Sequence, residues 1–224
     1  MSNSPDGRRK DCLVIAVDGP VAAGKGTLGR RLAAHFGFAY LDTGGLYRAV
    51  ALRMLRDGQA LDDVPAMVAQ AQAISLTDLD DPALREERVG EAASVISPEP
   101  ALRAALLLYQ RNFAAHPPHG AAGVVLDGRD IGTVVCPEAA VKLFVTASAE
   151  ARAKRRHAEL LGRGEDVSLA TVQADLANRD ARDMERSTSP LVAAADAHLL
   201  DTTKMDIEAA VQAARKIVAA YTKD

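Results

Sequence analysis

Apolar residues gather in short runs at Cys12–Val17, Gly123–Leu126, Val141–Thr146 and Ala197–Leu200, separated by longer segments with apolar positions at i, i+3 and i+4. Short runs read as strands and the spaced segments as helices. A weaker run at Ala39–Leu41 lies between helical patterns at Thr27–Phe36 and Leu46–Arg56 and completes a set of five strands. Strands alternating with helices predict an α/β fold, a five-stranded parallel sheet with helices on both faces. Residues 59–99 break this rhythm. The charged clusters DD, DLDD and REER enclose one amphipathic stretch, Val64–Ala73, with few strand formers. We read this as a short inserted subdomain. Between about 151 and 189, two arginine-rich helical patterns flank LGRGEDV, as expected of a mobile lid. The core is then 11–58, 100–150 and 190–224, and residues 1–10 are expected to form a disordered tail.

The 224 residues correspond to about 1.5 typical domains, consistent with one domain carrying inserted parts. Twenty-seven basic against 30 acidic side chains give a net charge of −3, which offers no basic surface for nucleic acid. The apolar run after the charged N-terminus is too short for a signal core or a membrane span. Cys12 and Cys136 lack metal-ligand spacing and read as reduced thiols, placing the chain in the cytoplasm. No exposed apolar stripe stands out, so a monomer is expected.

The chemistry starts after the first strand, in Gly19-Pro20-Val21-Ala22-Ala23-Gly24-Lys25-Gly26-Thr27. Glycines let successive N–H groups converge on phosphate oxygens, the following helix points its positive end at them, and Lys25 neutralises β/γ charge. The hydroxyl comes one place later than in the commonest form of this loop, so Mg²⁺ is expected to be held mainly by phosphates and water. Thr27 and Asp127 are the candidate contacts to it, through water.

Three further motifs fall where open α/β sheets bind ligands, or on the candidate lid. Asp42-Thr43-Gly-Gly-Leu-Tyr-Arg48 offers a hydroxyl and a guanidinium. Asp127-Gly-Arg129-Asp130 closes an apolar strand. Arg179, Arg182, Asp183 and Arg186 recur at i+3 and i+4 on one helical pattern. A GTP-binding switch is disfavoured, because DTGG follows Thr27 too closely to leave room for an intervening switch and strand, and TTKMD reads instead as a helix N-cap. A catalytically silent nucleotide-binding module would leave the acceptor-side arginines idle.

Together, GPVAAGKGT, DTGGLYR, DGRDIGTVVCPEA, RDARDMERSTSPL and DAHLLDTT closely resemble the bacterial cytidylate kinase family, within the nucleoside monophosphate kinases, in unbroken order from Leu13 to the last helix. The resemblance implies transfer of the γ-phosphoryl of ATP to CMP or dCMP. It implies Arg48 and Arg129 on the CMP phosphate, Thr43, Ser94, Arg103, Asp130 and Arg186 on the base, and Arg179 and Asp183 on the sugar. Ser94 and Arg103 follow from the AAS segment and its arginine; composition alone makes both surface residues. Arg152, Arg155 and Arg156 resemble the lid arginines that meet ATP phosphates, and Lys25, Arg129, Arg156 and Arg182 are the catalytic candidates. The family's longer insert forms a small antiparallel sheet, for which Ile74–Val89 is too short here. The alternative acceptors for the same loop are UMP, AMP and shikimate.

Overall fold

The computed structural model describes residues 12–222; the expected tail at 1–10 lies outside them. Five parallel strands form one sheet in the order β2-β3-β1-β4-β5: β1 (Leu13–Asp18), β2 (Ala39–Asp42), β3 (Gly123–Gly128), β4 (Val141–Thr146) and β5 (His198–Asp201). All five expected strands are present. β1 and β5 run one residue further than their apolar runs, because the ladder needs backbone groups rather than greasy side chains. Asp18 pairs with Gly128, and Asp201 with Thr146.

Side chains alternate across the sheet, as the pleat requires. Ile15, Val17, Val125 and Val145 meet Leu28 and Leu32 of α1 (Lys25–Phe36) and Val211 and Val218 of α8 (Ile207–Ala219) on one face. Ala16, Leu41, Val124 and Leu126 face the other way. They pack on α2 (Thr43–Arg56), α3 (Val64–Gln72), α4 (Glu87–Ile96) and α5 (Pro100–Ala115). The apolar side chains of the 59–99 segment, Met67, Ala71, Leu84 and Val89, belong to this same core. That segment contains helices and 3₁₀ turns and no strand. By contrast α6 (Ala149–Gly162) and α7 (Leu169–Glu185) share a separate small core, Ala153, Leu160, Val172 and Leu176, seated on Val21 and Ala22.

Three helix boundaries differ from expectation. α2 starts at Thr43, three residues before Leu46, because the Asp42 carboxylate accepts from the Gly45 N–H at 2.9 Å and caps a first turn whose glycines hide its helical character. α1 starts at Lys25 rather than Thr27. α7 ends at Glu185, so Arg186, expected on the same helical face as Arg182 and Asp183, instead follows the helix in extended conformation. At the last helix, Asp206 of the TTKMD run accepts from Ala209 at 2.8 Å, the N-cap read from sequence.

Truncating Leu126, fully buried on β3 beside the central strand β1, is expected to cost about 2–5 kcal/mol through lost contacts and a residual cavity. Urea denaturation of Leu126→Ala against wild type measures this.

Candidate active site

The phosphate loop joins β1 to α1. Gly19 has φ +146°, and a Cβ there would lie 1.9 Å from the Val145 carbonyl oxygen, so no side chain fits. Gly24 takes φ +94° and is the N-cap of α1, which no side chain caps. The first-turn N–H groups and the positive end of the helix are left for an anion. Lys25 Nζ donates to the Pro20 carbonyl at 2.8 Å, folding the ammonium back over the loop. Burial, with Arg129 nearby, pulls Lys25 down to about 7, against the pull of Asp127, Asp183 and Asp18.

At the carboxyl edge of the sheet, Asp42 and Asp127 are register partners on β2 and β3. They line one cavity with Lys25, Gly26, Thr27, Arg30, Arg48 and Arg129. Asp127 is buried, and its Oδ2 accepts from the Tyr40 hydroxyl at 2.6 Å. Burial and Asp42 push its carboxyl up to about 6. Among the described residues no cluster of three or more His, Cys, Asp or Glu converges as an all-protein metal cage.

The nine residues expected to hold the acceptor come from five separate segments, and all of them line one adjoining cavity: Thr43, Arg48, Ser94, Arg103, Arg129, Asp130, Arg179, Asp183 and Arg186. Arg103 and Asp130 form a buried ion pair, while Arg103 also donates to the Ser97 carbonyl at 3.2 Å and lies over the Tyr47 ring at 5.8 Å. The Thr43 hydroxyl donates to the Asp127 carbonyl at 2.7 Å, so only its lone pairs remain for a ligand. Arg103 Nε and Arg186 Nη2 are buried without a partner among the described residues. Arg129 donates to Asp183 at 2.7 Å. Burial raises the Asp183 carboxyl, but Arg129 more than offsets this and holds it below its ordinary value. Arg129 keeps its charge throughout: burial works against it, and Asp183 and Asp127 outweigh that.

The catalytic candidates on the helical pair are placed less directly. Arg182 stands outside the acceptor cavity, on Ser94 Oγ at 2.8 Å and Glu91 at 2.9 Å. Of the three α6 arginines, Arg152 is spent on a buried two-point pair with Asp180 and on the Val21 carbonyl. Arg155 holds Thr202. Arg156 lines a third cavity, with Ala22, Gly24, Thr27, Thr202 and Met205, beside the phosphate loop.

The sequence reading missed Asp18. Its carboxylate accepts the N–H groups of Ile131 and Gly132, both at 2.8 Å, and so fixes the turn that carries Arg129 and Asp130. Burial outweighs those bonds and lifts it to about 6. The signal existed, since Asp18 ends an apolar strand just as Asp127 does. Tyr40 and Tyr47 had none.

The family model for cytidylate kinase matches residues 15–220. A cytidylate kinase from Rhodopseudomonas palustris (strain BisB18) is 57% identical over 208 residues, covering 93% of this chain and 96% of its own. One from Xanthobacter autotrophicus is likewise 57% identical, covering 93% and 98%. The chain belongs to the cytidylate kinase family. It is accordingly an ATP-dependent nucleoside monophosphate kinase. A solved structure of an uncharacterized protein from Eubacterium ventriosum, 12% identical with a TM-score of 0.55 over 93% of this chain and 98% of that one, shares the fold. Among the described residues no helix is long and apolar enough to cross a membrane.

The family's phosphate loop carries a testable signature here. With Lys25 at about 7, bound phosphates raise its pKa by favouring the charged form. Above pH 7, ATP binding is therefore expected to take up protons, and affinity to fall as pH rises through 7 and beyond. Calorimetry at pH 8 in buffers of different ionisation enthalpy measures the uptake, and Lys25→Ala should abolish most of it.

Proposed function

We propose that this kinase transfers the γ-phosphoryl group of ATP to CMP or dCMP, giving ADP and CDP or dCDP. The observation that carries the acceptor assignment is the polarity of the cavity wall. Thr43 offers only acceptor capacity, Asp130 is a carboxylate, and Arg103 Nε and Arg186 Nη2 are unpaired donors. Cytosine presents the complement, an exocyclic amino donor beside ring-nitrogen and carbonyl acceptors. Uracil would set a carbonyl against Thr43 and Asp130, leaving buried polar groups unpaired at a cost in binding.

In this reading Ser94 completes the base contacts, and Arg179 and Asp183 hold the sugar. Arg48 and Arg129, which line both the acceptor and the phosphate cavity, hold the CMP phosphate between the two sites. The nucleophile is that phosphate, already anionic, so no strong base is required. Catalysis is alignment and charge stabilisation. Residues 19–27 cradle the β- and γ-phosphates, Lys25 and Arg129 balance the charge of the transferring group, and Arg156 and Arg182 approach from the helical pair. The cavity of Thr202, Met205 and Arg155 receives the donor's base and sugar.

The carboxylates of Asp42 and Asp127 with Thr27 suit Mg²⁺ held mostly by phosphates and waters, as its octahedral preference favours. Bound there, Mg²⁺ would neutralise the β- and γ-oxygens. The 59–99 segment acts as the acceptor-binding insert and α6–α7 as the lid that excludes water. We take the enzyme to be a cytoplasmic monomer.

ADP release with Mg²⁺ and ATP over CMP, dCMP, UMP, AMP, GMP and shikimate tests this. Activity is expected to be led by CMP or dCMP and lost in Lys25→Ala; preference for another acceptor overturns the base assignment. Asp130→Ala should raise the KM for CMP by tenfold or more, on the order of one lost charged hydrogen bond, and alter UMP far less. Equal losses for both would remove Asp130 from base reading.

A further inference from the structure

The acceptor cavity and the cavity beside α6 share no lining residue; the phosphate cavity touches both, and so does a fourth cavity on the side of the helical pair. It shares Val21, Arg48, Gly90 and Arg179 with the first, and Ala22, Arg156 and Glu159 with the second. This cavity flanks the phosphate loop at Val21 and Ala22. Its wall sets the guanidinium-bearing residues Arg48, Arg85, Arg156, Arg163 and Arg179 against two carboxylates, Glu86 and Glu159, so positive charge is in excess.

Two of these arginines, on different helices, share one partner. Glu87, in the first turn of α4, accepts from Arg156 of α6 through one carboxylate oxygen, and its other oxygen lies 3.5 Å from Arg179 Nη1 of α7. A carboxylate bridging two guanidinium groups is the geometry by which a phosphate would also be held. The burial is unequal. The side chains of Arg156 and Arg179 are 15% and 11% exposed, whereas Glu87 is 38% exposed. The arginines are therefore fixed, and the carboxylate can swing into water at small cost. Arg156 keeps Glu159 at 2.9 Å when Glu87 leaves. Arg179 has no second carboxylate among the described residues.

We propose that Glu87 is a resident stand-in for a phosphate group. In the empty enzyme it holds Arg156 and Arg179 at the fourth cavity and ties the α6–α7 pair to α4, and it yields both arginines when nucleotide phosphates arrive. That the displacing ligand is a transferring nucleotide rests on the kinase reading above; that an anion displaces Glu87 does not. Glu87 acts through the two arginines and is a positioning residue. Because it competes for them, it weakens phosphate binding, and this direction distinguishes it from a scaffold residue, whose loss would weaken binding.

The test is Glu87→Gln, with Glu150→Gln as control, since Glu150 belongs to an exposed pair with Lys154 on α6. Calorimetric titration with inorganic tripolyphosphate and with ATP, no acceptor present, is expected to show roughly three- to tenfold tighter binding by Glu87→Gln. The control should match wild type. The ligand-free melting temperature of Glu87→Gln should fall, and its rise on adding ATP should exceed that of wild type. Equal or weaker binding by Glu87→Gln would overturn the proposal and leave Glu87 an ordinary interhelical tie. Wild-type ADP formation with CMP is measured in parallel. If no acceptor supports turnover while Glu87→Gln still binds tripolyphosphate more tightly, the kinase reading fails and the stand-in role survives.

Discussion

Seven arginines must be kept together before any phosphate is present to justify them, and this repulsion governs how the site is built. The solution is an internal carboxylate for each. Arg48 has Asp42, Arg103 has Asp130, Arg129 has Asp183, Arg156 and Arg179 share Glu87, Arg182 has Glu91, and Arg186 lies 3.8 Å from Asp183. Breaking a buried pair by removing one partner is costly, because the survivor is left charged and unsolvated. The pairs therefore grade naturally. Arg103–Asp130 is covered on both sides and defines a fixed wall, while Arg182–Glu91 is partly open and free to exchange partners.

Burial, working against the neighbouring cations, raises two carboxyl groups near the phosphate loop. Asp18 and Asp127 both sit at about 6 although each accepts hydrogen bonds. Their folded pKa values exceed those of the unfolded chain, so the folded state binds more protons between about pH 4 and 6. Stability from these two groups is therefore greatest in acid and declines as pH rises through that window. Asp183, held low by Arg129, has the opposite sign.

The sheet and the phosphate loop were legible because both are local. Apolar runs of three to six residues mark the strands, and the glycine spacing with Lys25 marks the loop. The acceptor site was legible only through the whole set of motifs. Arg103 is one arginine on an amphipathic helix until Asp130, 27 residues away in sequence, is folded against it. Asp18 escaped because its partners, Ile131 and Gly132, lie beyond 110 positions distant. Glycines concealed the start of α2, and the helical spacing of Arg182 and Arg186 ran past the true end of α7, where periodicity carries no stop signal of its own. Glu87 lay in REER, a run of mixed charge that carries no signal of its own.

The small core shared by α6 and α7 has a thermodynamic meaning of its own. Four buried side chains, none aromatic, and the Arg152–Asp180 pair hold the two helices together, and Val21, Ala22 and a handful of ion pairs join them to the rest of the molecule. Such a unit detaches at a free energy well below that of global unfolding, and its amides exchange with solvent by sub-global opening. The phosphate loop is the surface on which it rests, so an occupied loop also sets the resistance of these two helices to proteolysis. The enzyme's exposure to degradation is in this way tied to how much nucleotide surrounds it.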